Sequence, residues 1–284
     1  MTKIFPLIFI VLWSSAFITT KPIVDHSEPF SALAFRFFFV SLGFLIFSIY
    51  KNFSLVVSKS NLIQSLVSGV LFHGIYLGGV FYSVSVGMPT GIAALIVTLQ
   101  PILTNILAGP ILKEHVSYHQ WIGILLGFLG AVLVLGFDIG KNIPFDGVIA
   151  TIISLVSITS ATIWQKKISN NLPLETSNTY QAIGGCLFHI LIIVFVTQFQ
   201  INFSFTFIAA MSHQVLLVSF GAFTILMFLI RENSASKTTS FFFLIPSVSA
   251  LMAWLFLNEN LYFIDIIGFL IASIGVYIAT RPEK

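Results

Sequence analysis

The stretch that decides the fold is Gly91 to Leu135, GIAALIVTLQPILTNILAGPILKEHVSYHQWIGILLGFLGAVLVL. It is two apolar runs, each about long enough to cross a hydrocarbon core of roughly 30 Å, joined by the polar knot Lys113-Glu114-His115. The stretch returns 145 residues later without a gap: Pro101 answers to Pro246, Glu114 to Glu259, Gly123 to Gly268 and Gly130 to Gly275. The same offset carries Ser15-Ala16 to Ser160-Ala161 and Lys21 to Lys166, so the register covers nearly the whole chain. Residues 1–139 and 146–284 therefore read as two copies of one unit.

Outside that stretch, composition points the same way. With 57% hydrophobic and 8% charged residues and a mean hydropathy of +1.02, the chain cannot cover a water-facing surface. Apolar runs fall at about 4–20, 30–50, 62–87, 90–112, 119–137, 147–166, 176–198, 208–231, 236–257 and 262–280. The expectation is an all-α integral membrane protein of ten transmembrane helices, five per copy. Lys3 with the apolar run and Ser14-Ser15-Ala16 also fits a secretory signal peptide, but this segment matches the sixth run at the repeat offset. The lone Cys186 excludes an intramolecular disulfide.

Charge sets the orientation. With a cytoplasmic N-terminus, the inner side holds Lys3, Lys51, Lys59, Lys113, Lys166, Lys167, Arg231, Lys237, Arg281 and Lys284, and the outer loops hold only Lys21 and Lys141. Both termini are then cytoplasmic, and the protein is a multi-pass protein of the inner (plasma) membrane. Because these basic residues sit in short loops, the pI near 9.0 does not argue for a nucleic-acid partner. An odd number of helices per copy makes the second copy enter the membrane from the opposite side. Such inverted repeats recur in secondary transporters, which hold their site near the midplane.

Trp13-Ser14-Ser15-Ala16-Phe17 and Lys21-Pro22 in the first helix, Phe35-Arg36-Phe37 in the second, and the duplicated Pro, Glu, Gly, Gly set resemble the EamA type of the drug/metabolite transporter superfamily. The resemblance covers essentially the full chain and departs from the usual pattern at Lys113 and Asn258, where glycine commonly precedes the glutamate. It implies a central cavity formed by helices one to four and six to nine, with five and ten as scaffold.

Individual residues sort by depth and type. Gly123, Gly127 and Gly130 share one face of the fifth helix, and Gly268, Ala272 and Gly275 repeat it on the tenth. Small residues let backbones approach, so these are packing surfaces, either between the two helices or between the protomers of a homodimer. Glu114 and Glu259 lie at membrane ends just before helices five and ten, where a turn and cap role fits. Pro101 and Pro246 should kink helices four and nine.

Polar groups inside a span are expensive and therefore informative. Arg36 reads either as an interfacial anchor or as the counter-charge for an anionic group on a solute. His73, near mid-depth, and Tyr76, one turn on, face one way; His73 suits either helix-to-helix bonding or a cavity. Trp13, Ser14, Gln100 and, in the second copy, Trp164, Tyr180 and Gln181 complete the candidate binding set. Gln181 is the repeat mate of Arg36, so one half offers a cation and the other a neutral amide.

The sequence contains no phosphate-binding loop, no Cys/His cluster of metal spacing and no nucleophile elbow, so no cofactor, metal or catalytic residue is expected. The function expected is a secondary exporter or exchanger of small amphipathic metabolites such as amino acids, working by alternating access among membrane lipids. An intramembrane enzyme or lipid-handling protein using Arg36 and His73 on a headgroup is the alternative.

Overall fold

The computed structural model describes residues 4–136, 143–257 and 261–281, and among the described residues it holds ten helices and no β-strand. They are α1 (Phe5–Val24), α2 (Pro29–Tyr50), α3 (Lys59–Ser85), α4 (Thr90–Val97 with Gln100–Leu112), α5 (Tyr118–Leu135) and α6 (Phe145–Ile168). The series continues with α7 (Leu174–Phe195), α8 (Phe205–Glu232), α9 (Ala235–Ser240, a 3₁₀ turn Phe241–Leu244, then Ile245–Leu257) and α10 (Phe263–Thr280). Among the described residues, nine are long and apolar enough to cross a membrane; α9 is interrupted. The apolar runs read from sequence coincide with these ten elements.

Local chemistry starts and stops them. Glu28 accepts from the Phe30 and Ser31 amides ahead of Pro29 at the first turn of α2, and Ser117 with Gln120 forms a capping box on α5. Ser58, Ser204 and Ser234 cap α3, α8 and α9. Glu114 does not cap the helix that follows it. Ser117 already serves α5, and the Glu114 carboxylate instead accepts from Ala235 N (2.8 Å) and Ser236 N (3.2 Å), capping α9 from a distant loop. Its mate Glu259 lies outside the described residues.

The two prolines act differently from a simple kink. Each sits second in its segment, Pro101 in Gln100–Leu112 and Pro246 in Ile245–Leu257, where its missing N–H is no loss. The chain departs from α-helix one turn earlier, at Thr98–Leu99 and at Phe241–Leu244. Both α3 and α8 also carry a π-helical stretch, Val70–Tyr76 and Gln214–Phe223, at matching places in the two copies.

Contacts at the helix ends define two faces. On the N-terminal face, where α1 begins, Lys166 Nζ donates to Ile230 O (3.0 Å), Arg231 O (3.2 Å) and Asn233 O (2.6 Å), capping the end of α8. There, too, Thr176 Oγ1 and Tyr180 OH bond the carbonyls of Ser54 and Leu55. On the distal face, Glu28 N donates to Gln200 O (2.9 Å) and Asn202 N to His26 O (2.7 Å), tying the α1–α2 loop to the α7–α8 loop.

The α5–α10 pair is the tightest in the fold. A Cβ on Gly130 would overlap the backbones of Gly268 and Ala272, and one on Gly275 would overlap those of Gly123 and Gly127. Shifted by the repeat offset, the first contact becomes the second. Both glycine faces are thus consumed within one chain, not between protomers. Gly130→Leu should separate these backbones and lower stability by about 2 kcal/mol or more. Thermal unfolding of the purified variant, compared with Leu129→Ala on the exposed side of the same helix, checks it.

Candidate functional site

A narrow cleft opens among α1, α2, α3 and the π-helical run of α8. Its walls are aromatic and aliphatic, with Trp13, Phe17, Phe72, Tyr76, Phe81 and Phe223 prominent, and its polar groups are Thr20, Arg36, His73, Gln214 and Ser219. It encloses about 40 Å³, room for a water or so, so a larger solute requires the aromatic side chains to swing aside.

Arg36 is 3% exposed, and its Nε donates to Ser219 Oγ at 2.9 Å. Its guanidinium lies over the Phe37 ring, 5.3 Å from the centroid. Among the described residues no carboxylate pairs with it; the ion pair found is the exposed Lys21–Asp25. A buried cation without a counter-ion has a large desolvation cost, which an anionic group entering the cleft would offset. The snorkelling alternative would take the side chain to a membrane surface; here it turns inward.

Around the cation lies a ring stack. The Phe37 ring sits 4.3 Å from the ring of His73 and 6.1 Å, nearly parallel, from that of His189. His73 is also 4.3 Å from Phe223, and a ring nitrogen of His189 bonds His73 O at 2.9 Å. The sequence signal for His189 is a lone mid-span histidine, which by itself does not show what the ring meets. Gln214 and Ser219 were missed for a similar reason, since single amides and hydroxyls in an apolar run do not reveal which way they face.

Of the nine expected binding residues, Trp13, Arg36, His73 and Tyr76 meet in the cleft. The other five lie elsewhere. Ser14 Oγ donates to Ile245 O, Gln100 Nε2 to Thr162 Oγ1, Trp164 Nε1 to Gln64 O, and Tyr180 OH to Leu55 O. Gln181 is locked in a buried network, accepting from Ser68 Oγ at 3.0 Å and donating to Ser177 Oγ at 3.0 Å. The cleft is therefore smaller than a cavity drawn on helices one to four and six to nine. Its described lining comes from α1, α2, α3 and α8 alone, and α4, α6, α7 and α9 contribute no residue to it.

Closure is asymmetric. At the N-terminal half of α3 and α7, a Cβ on Gly69 would overlap the Gln181 backbone, and one on Gly184 would overlap that of Leu66. By the repeat offset the corresponding seam joins α8 to α2, and its residues are Gln214 in place of Gly69 and Phe39 in place of Gly184. That seam packs far less closely, and a groove lined by Phe35, Phe39, Phe207 and Met211 runs along it. The latches differ likewise: Lys166 holds the end of α8, whereas its mate Lys21 reaches Asp25 just past its own helix and makes no bond to the end of α3.

The EamA-like transporter family profile matches residues 2–136 and again 146–281. The chain is 23% identical to the "uncharacterized transporter YvbV" of Bacillus subtilis over 97% of its length and 90% of that protein. It is 22% identical to a "probable amino-acid metabolite efflux pump" of Salmonella typhimurium, over 96% of this chain and 92% of the other. A solved crystal structure superimposes with a TM-score of 0.79 over 98% of this chain and 97% of its own, at 17% identity, and so shares the fold.

If backbone approach holds the α3–α7 seam, Gly184→Ala should loosen it. Hydrogen–deuterium exchange over residues 59–69 and 174–185 should then speed up about ten-fold, equivalent to roughly 1.4 kcal/mol. Gly109→Ala, where a methyl would meet only Glu114 O at 3.8 Å, is the control. Unchanged exchange in Gly184→Ala would show that the seam is held by something else.

Proposed function

The chain belongs to the EamA-like transporter family, and from that premise we propose that it exports small amphipathic metabolites, amino acids first among them, by alternating access without ATP. The observation that carries this reading is the buried Arg36 guanidinium in an aromatic cleft, with no carboxylate partner among the described residues. The cation suits a carboxylate, and the walls suit an apolar body. The named efflux pumps among its relatives support amino acids as the class. Because the relatives are transporters, the enzyme reading of Arg36 and His73 is set aside.

In this reading the copies 1–139 and 146–284 are inverted repeats, and alternating access exchanges the conformations of the α3–α7 and α8–α2 seams. The reciprocal α5–α10 contact supports the twofold relation, and the unequal seams support a form shut on its N-terminal face. The bias of basic residues supports that face as the cytoplasmic one in a cell inner membrane, with lipid around the exposed apolar faces. A homodimer would need a face other than the glycine stripes. Maleimide labelling in intact cells tests the topology: a cysteine at Lys51 should react only after permeabilisation, and one at Asp25 beforehand.

Arg36→Gln tests the site, since it gives this half the amide that Gln181 provides in the other. The variant should fold, and its transport of carboxylate-bearing solutes in proteoliposomes should fall about ten-fold or more, with neutral solutes little changed. An equal effect on both would make Arg36 a structural anchor.

A further inference from the structure

The cleft holds a second polar device beside Arg36. Of the buried side-chain nitrogens and oxygens without a hydrogen-bond partner among the described residues, Gln214 Oε1 is the one on a residue that lines the cleft. Its orientation is dictated from the other end of the amide. Gln214 Nε2 donates to Ala16 O at 3.0 Å and to Thr19 Oγ1 at 2.9 Å. Ala16 O can only accept, and the Thr19 and Thr20 hydroxyls already donate to it. A flipped amide would set oxygen against oxygen, so the nitrogen must face α1 and the oxygen is left without a donor.

The position of this acceptor is matched to the cation. Gln214 opens the π-helical run, and Ser219, which holds Arg36, stands five residues on, the spacing of a π-helical hydrogen bond. Gln214 and the Ser219 that holds Arg36 are thus about one helical turn apart on α8, on the order of 5 Å along the axis. Chemistry also favours an amide here. A carboxylate at this place would pair with Arg36 and fill the cleft with its own ion pair, whereas a neutral carbonyl leaves the guanidinium free for a ligand. The repeat offset adds a reason for a side chain at this position. The mates of Arg36 and Gln214 are Gln181 and Gly69, which are pressed backbone to backbone in the closed seam.

We propose that Gln214 Oε1 accepts a hydrogen bond from the ammonium group of a solute whose carboxylate sits at Arg36, so that the cleft selects zwitterions over simple carboxylates. The inference rests on the Arg36 reading and assigns the second half of the recognition.

The test is binding of matched ligands to the purified full-length chain by isothermal titration: leucine, methionine and phenylalanine, each against the same acid lacking its amino group. The unmodified protein should bind the amino acid at least ten-fold more tightly than its des-amino partner. Gln214→Leu should weaken the amino acid about ten-fold and leave the des-amino acid within about two-fold. Equal loss of both ligands, or loss of neither, overturns the role of Gln214. Should Gln214→Leu not fold, the unmodified chain still decides: equal affinity for both members of each pair overturns Gln214 while Arg36 stands. If it binds neither member of any pair, both readings fall.

Discussion

Hydrocarbon offers a helix neither water for its polar groups nor a hydrophobic reason to bind its neighbour, and the structure answers both deficits with the chain itself. Backbones meet directly through Gly123, Gly130, Gly268 and Gly275, where a single methyl would not fit. Helix ends are closed by side chains from elsewhere in the chain: Glu114 on the start of α9, Lys166 on the end of α8. These long-range caps fasten the N-terminal face and determine which half of the bundle is dense.

Duplication supplies two of everything, and function lies where the copies diverge. The scaffold pair α5–α10 keeps its symmetry, since glycine or alanine occupies both versions of the contact. The gate does not. Where the first copy has Gly69 and Arg36, the second has Gln214 and Gln181, so one crossing of the seams becomes a backbone contact and the other a polar-lined cleft. A Phe39 side chain stands where Gly184 stands in the other copy, which keeps α2 from approaching α8 as closely as α7 approaches α3.

Much of this was legible beforehand. Ten apolar runs, the repeat register and the glycine faces follow from spacing and residue size, quantities carried along the chain itself. Trp13, Arg36, His73 and Tyr76 could be found because a polar or large aromatic group at depth in an apolar run is costly wherever it points. Gln181 and Tyr180 met the same criterion, yet they seal the closed half with Ser68 and Leu55. Depth identifies a group that needs a partner; it does not say whether the partner is protein or solute.

The sequence by itself determined a membrane protein of ten helices in two copies, because hydropathy and period are properties of each segment alone. Only the tertiary structure decided that Glu114 caps α9 and that, among the described residues, Arg36 has no carboxylate beside it and Gln214 presents an oxygen with no donor. Those facts depend on which helices lie against one another, and in a lipid-packed bundle that is settled by the fit of glycine against backbone and amide against carbonyl across residues more than a hundred positions apart.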